Sequence, residues 1–139
     1  MDDIYSNVMF SRIGAVILLV SSMKRSVRFY RDTLGMELKQ ESKDWTEFST
    51  RGTVLALHPA KRKQIKKNNG MLVGFSVSDF DDVINGLKKK RVKFYKKPKQ
   101  EAFGKHTIIQ DPDGHLISIV QMPQEELSQI PYYHGFAPV

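Results

Sequence analysis

"MLVGFSVSDFDDVINGLKKKRVKF", residues 71–94, begins with apolar residues in alternation and passes through Ser78 and Asp79, either of which can cap a helix. Phe80, Val83, Ile84 and Leu87 then recur at helical spacing, and "VKF" returns to alternation. A period of two, then 3.6, then two again reads as strand, capped helix, strand. Downstream, "KHTIIQ", the turn "DPDG" and "HLISIVQ" (residues 105–121) add a hairpin of two further strands. The unit is β-α-β-β-β.

The same order stands upstream. "RIGAVILLVSS" (12–22) is a buried strand by its length and β-branched content. A helix starting at Ser22 or Met23 follows, with Val27, Tyr30 and Leu34 on one face and Gly35 as its stop. "MELKQES", "DWTEFST" and "TVLALHP" supply three strands, the last ended by Pro59. The two halves can be matched residue by residue: Val20 falls on Val77, Met23 on Phe80, Gly52 on Gly114 and Leu57 on Ile119. The chain is therefore an internal repeat of two modules, each with one sheet face to cover.

With 139 residues, 40% of them apolar, one compact domain or two small repeated halves can build a core. The longest uncharged apolar run, Ile13 to Met23, is too short to span a bilayer, and no basic stretch precedes it as in a signal peptide. No cysteine is present, which excludes disulfides, thiolate metal sites and a Cys nucleophile. A cytoplasmic location and no membrane partner are expected. The net charge of +7 comes largely from residues 61–69 and 88–99. Read as solvated lysines on a helix end and a strand edge, these clusters do not predict a nucleic-acid partner, and no aromatic stacking platform accompanies them.

"SVRFYRDTLGMEL" (26–38), "FSVSDFDDVINGLKKKRVKF" (75–94) and "DPDGHLISIVQ" (111–121), in this order, resemble the vicinal oxygen chelate superfamily of glyoxalase I, bleomycin-resistance proteins and extradiol dioxygenases. The resemblance implies an α+β fold: tandem βαβββ modules forming a curved, eight-stranded mixed sheet around a cavity, helices on the outer face, often in a homodimer. Module one would span residues 12–60, a linker 61–69 and module two 70–122, together a single domain at 12–122. An N-terminal arm (1–11) and a C-terminal extension (123–139) flank it.

Metal-using members hold a divalent ion with His, Gln or Glu on the first and last strand of each module. The positions matching these are Ala15, Ala56, Leu72 and Ser118. Alanine and leucine have no donor atom and a lone hydroxyl is a poor ligand. No metal and no other cofactor are expected, a divalent ion at a relocated site being the alternative.

Alternation, with pairing across four-residue turns, places Ala15 and Ile17 with Val54, Ala56, His58, Trp45 and Glu47 on one face of the first half. In the second half it places Lys105, Thr107 and Ile109 with Ser118. The expected ligand-binding residues are Trp45, Ala56, His58, Leu72, Lys105, Thr107 and Ser118, a set suited to a small organic molecule with a planar or amphipathic body. Trp45 is either a stacking platform or core, and Glu47 either a surface carboxylate or, with His58, an acid-base pair. His106 and His115 read as outward-facing and turn residues.

The leading function is therefore a metal-independent binder of a small organic molecule. The alternative is a lactoylglutathione-lyase-like or dioxygenase-like metalloenzyme with a non-standard metal site. A catalytic role is left open.

Overall fold

The computed structural model describes residues 9–65 and 70–121. The chain divides into two compact units, Met1–Arg62 and Lys63–Val139. Expectations for the start of the N-terminal arm, the end of the basic linker and the C-terminal extension, with its helix and aromatic tail, lie outside the described residues. Among the described residues eight strands and two α-helices alternate as the repeat requires, and the strands are shared between two four-stranded mixed sheets. The α+β class holds.

In the first unit the strands β1 (Ala15–Val20), β2 (Glu37–Glu41), β3 (Thr46–Ser49) and β4 (Val54–Pro59) are ordered β1-β4-β3-β2, with β1 and β4 parallel. Helix α1 (Met23–Arg28) starts where Ser22 Oγ accepts from Arg25 N. It continues as a π-helical turn, Phe29–Thr33, closed by Leu34 N donating to Phe29 O, before Gly35 takes the left-handed φ of 75°. Val27 and Tyr30 on the helix and Val20, Phe48, Leu55 and Leu57 on the sheet are almost wholly buried. Tyr30 and Phe48 meet with ring centroids 5.9 Å apart, so this sheet face is the helix-covered one.

The second unit repeats the plan with β5 (Val73–Ser76), β6 (Lys93–Glu101), β7 (Gly104–Gln110) and β8 (Leu116–Gln121), ordered β5-β8-β7-β6. Asp79 caps α2 (Phe80–Lys89) through Asp82 N. Phe80, Ile84 and Leu87 are its buried face. Strand β6 runs further than "VKFYKK" predicts, through Pro98. It lies at the sheet edge, where a missing N–H costs no ladder bond, and its pairing shifts register between Phe94 and Lys96 and between Lys96 and Lys99.

The turn before β8 is five residues long rather than four. Asp111 N donates to His115 O at 3.0 Å and Gly114 N to Asp111 O at 2.9 Å. The Asp111 carboxylate, 5% exposed, also accepts from Asp113 N at 2.9 Å and His115 N at 2.8 Å. Gly114 supplies the φ of 88° that closes the loop. In the first unit the matching loop is shorter: Thr50 Oγ1 donates to Thr53 O and accepts from Gly52 N, leaving four residues between the strands. Asp111→Ala is expected to destabilise the protein by about 2 kcal/mol, since it removes two backbone hydrogen bonds to a carboxylate. Asp111→Asn, which keeps the acceptor oxygen, should recover most of that loss in urea denaturation.

Candidate functional site

Each module leaves one sheet face away from its helix, and pairing register decides which side chains stand there. In the first unit Ile17 pairs with Ala56, Leu19 with His58 and Glu47 with Ala56. This places Ala15, Ile17, Glu47, Ala56 and His58 on one face, opposite to Phe48, as alternation predicts. Trp45 is half-buried on the same face, with its ring centroid 6.3 Å from that of His58 and its indole N–H donating to Glu47 Oε2 at 2.8 Å. His58 Nδ1 lies 3.0 Å from Asp44 O. Glu47 thus orients the indole and does not form an acid-base pair with His58. The arrangement is an aromatic pair beside the small side chain of Ala56, with a carboxylate at its edge.

In the second unit the extra residue of the Asp111–His115 loop shifts the pairing by one. Ser118 lies opposite Ile108, and His106 opposite Val120. A one-residue slip exchanges the two faces, so the expected placement of Lys105 and Thr107 beside Ser118 is corrected. Lys105 turns to the helix side, where its Nζ meets Asp81 Oδ2 of α2 at 2.8 Å. Thr107, fully buried, donates to Lys96 O at 2.6 Å. The helix side is marked further by Gln121 Oε1, which accepts from Phe80 N.

His106, read from the sequence as outward-facing, instead shares the face of Ser118. It is 3% exposed, Ser118 is 1% exposed, and His106 Nε2 lies 2.7 Å from Ser118 Oγ. The Phe103 ring meets the imidazole edge-on at 5.6 Å. Burial pushes the His106 pKa below the ordinary histidine range; Glu101 opposes this and Lys96 adds to it. The pair is therefore a neutral imidazole beside a hydroxyl. Among the described residues no carboxylate orients its other ring nitrogen, so the pair lacks the third member of a nucleophilic triad. The turn length was the signal: a carboxylate at Asp111 able to catch two backbone N–H groups predicts the added residue.

Leu72 precedes β5, and Gly74, two residues on, pairs with Ser118. Of the four positions that the resemblance assigns to metal donors, three carry no donor atom and the fourth, Ser118 Oγ, is already engaged by His106. Among the described residues no three His, Asp or Glu side chains converge on a point. These residues do not fit the divalent ion of the metal-using relatives.

A model of the Glyoxalase/Bleomycin resistance protein/Dioxygenase superfamily matches residues 12–119. The chain belongs to this superfamily. The metallothiol transferase FosB of Staphylococcus haemolyticus is 32% identical over 117 residues, covering 80% of this chain and 84% of that protein. Among solved structures, a glyoxalase-related enzyme from Fulvimarina pelagi superposes with a TM-score of 0.70 at 18% identity, covering 81% of this chain and 89% of that one. TnmS3, an antibiotic binding protein from Streptomyces sp. CB03234, superposes with a TM-score of 0.66 at 20% identity, covering 83% and 98%. Both share its fold. Among the described residues no helix is long and apolar enough to cross a membrane.

Proposed function

We propose that this protein binds a small organic molecule without a metal ion, with Trp45 as the stacking surface. The observation that carries this reading is the set Ala15, Ala56, Leu72 and Ser118 at the four positions that the resemblance assigns to metal donors: three have no side-chain donor atom, and the fourth is hydrogen-bonded to His106. The Trp45–His58 pair, with the indole fixed by Glu47, offers a planar apolar contact of the kind that aromatic ligands use. On the other module's face His106 and Ser118 are almost wholly buried and bound to each other, so this reading assigns them to the wall and the ligand contact to Trp45. An antibiotic-binding protein on the same fold is consistent with this chemistry.

Trp45 is the only tryptophan, so its fluorescence reports occupancy directly. In a panel of planar amphipathic compounds that includes antibiotics, saturable quenching is expected to be unchanged by chelator. Trp45→Ala should weaken binding by about tenfold in calorimetry, or about 1.4 kcal/mol. A stoichiometric divalent ion in protein purified without chelator, required for binding, would overturn the reading.

A second reading is a metal-dependent thiol transferase, favoured by the 32% identity to FosB. It requires thiol consumption, with an electrophilic acceptor supplied to form the new carbon–sulfur bond, that depends on added Mn²⁺, Ni²⁺ or Zn²⁺; no consumption across a panel of such acceptors with any of these ions rejects it.

A further inference from the structure

A separate groove lies on the other side of the first unit, between α1 with its π-helical turn and the turn that joins β2 to β3. It is an open groove with a volume of about 580 Å³, within the size range of small-molecule sites. Its floor is apolar: Val27, 2% exposed, and Met23 one helical turn before it. The rim is basic. Lys24, Arg28 and Arg31 recur along one face of the helix, and Lys43 faces them from the hairpin turn, against the single carboxylate of Glu41.

Two local features fix the backbone that carries Lys43 and Arg31. Ser42 N and Oγ donate to Trp45 O at 2.9 and 3.0 Å, and Ser42 Oγ accepts from Trp45 N at 3.1 Å, which fixes the turn that carries Lys43. The π-helical turn is closed by Leu34 N on Phe29 O at 2.9 Å, and Met36 N reaches Tyr30 O at 2.9 Å, which fixes the segment that carries Arg31. Arg31 is already bound to Asp32 through Nε at 2.7 Å and Nη2 at 3.1 Å. Among the described residues that line the groove, Lys24, Arg28 and Lys43 remain as cations, with Glu41 as the carboxylate.

We propose that this groove is a second binding site, for a small amphipathic organic anion whose apolar body lies on Met23 and Val27 and whose phosphate or carboxylate head is held by Arg28 and Lys43. Charge complementarity selects the head group, since a cation would meet an excess of like charge and a neutral head would leave the guanidinium unused. The groove is open to solvent, and its volume is that of a small-molecule site. The site is independent of the Trp45 face, although one hairpin turn carries both Lys43 and Trp45.

The test is a titration of the full chain with octyl phosphate, followed by calorimetry and by backbone amide NMR shifts. One-to-one binding is expected, with shifts centred on residues 23–31 and 41–43. Octanol, octyltrimethylammonium and inorganic phosphate should each bind at least about tenfold more weakly, because each lacks one of the two recognised parts. R28E/K43E should weaken octyl phosphate binding by at least about tenfold, while R28K/K43R keeps it, both folded by thermal denaturation. Ligand binding at the Trp45 face should be unchanged in R28E/K43E, which separates failure here from failure of the function proposed above. Equal binding by R28E/K43E, shifts centred elsewhere, or no saturation at millimolar concentration would overturn the proposal. An acidic peptide that displaces octyl phosphate and binds more tightly, or a second copy of the chain that covers these residues in sedimentation, would overturn it in favour of a protein occupant.

Discussion

Replacing Phe48 by Ala is expected to destabilise the protein by about 3–5 kcal/mol. Phe48 is completely buried on the helix side of the first sheet, paired with Leu55 on β4 and tilted against Tyr30, itself completely buried, at 5.9 Å. Truncation removes a large apolar surface and leaves a void between a sheet and a helix, elements that cannot collapse onto it without breaking their own hydrogen bonds. Phe48→Leu should cost about 1–1.5 kcal/mol, because volume is largely kept. Urea denaturation of both variants, monitored by Trp45 three residues away, gives the comparison. A loss below 1 kcal/mol for Phe48→Ala would mean that Tyr30 and Phe48 do not form the centre of this unit's core.

His106→Ala should cost about 2–4 kcal/mol, through the cavity left at a 3% exposed site and the loss of the hydrogen bond to Ser118. In a double-mutant cycle with Ser118→Ala the coupling should be about 1–2 kcal/mol, since the two side chains are in direct contact. A pH dependence accompanies it. Burial lowers the folded-state pKa below 6.5, so the unfolded chain takes up its proton first as pH falls. The stabilisation that comes from keeping the imidazole neutral is therefore complete above about pH 6.5 and is lost as pH falls from there through the lower folded value. In His106→Ala that part of the acid-side slope should disappear. An identical slope in the two proteins, or a coupling energy near zero, would show that His106 is not a buried neutral partner of Ser118.

The element order, the repeat and the helix starts at Ser22 and Asp79 were legible in the residues because they depend on interactions between near neighbours: side-chain periodicity, caps, and glycine where φ is positive. The first-unit face was legible for the same reason. Its loop of four residues is the length that counting "TRGT" implies, so Trp45, Glu47, Ala56 and His58 fall together by parity. In the second unit the same counting fails by one residue. "DPDG" looks like a complete turn, yet the Asp111 carboxylate captures Asp113 N and His115 N and draws His115 into the loop. Every side chain of β7 then exchanges faces relative to β8, and Lys105 and Thr107 give way to His106 beside Ser118.

The sequence alone determined the repeated element order and the absence of a side-chain donor at Ala15, Ala56 and Leu72, because a side chain without a lone pair cannot coordinate a metal in any fold. Only the tertiary structure decided which groups fill the face around Ser118, and that Lys43 from a hairpin turn completes a basic groove begun by Lys24 and Arg28. The physical reason is that donor chemistry belongs to a single residue, whereas register and convergence depend on how strands far apart in the chain are joined and paired.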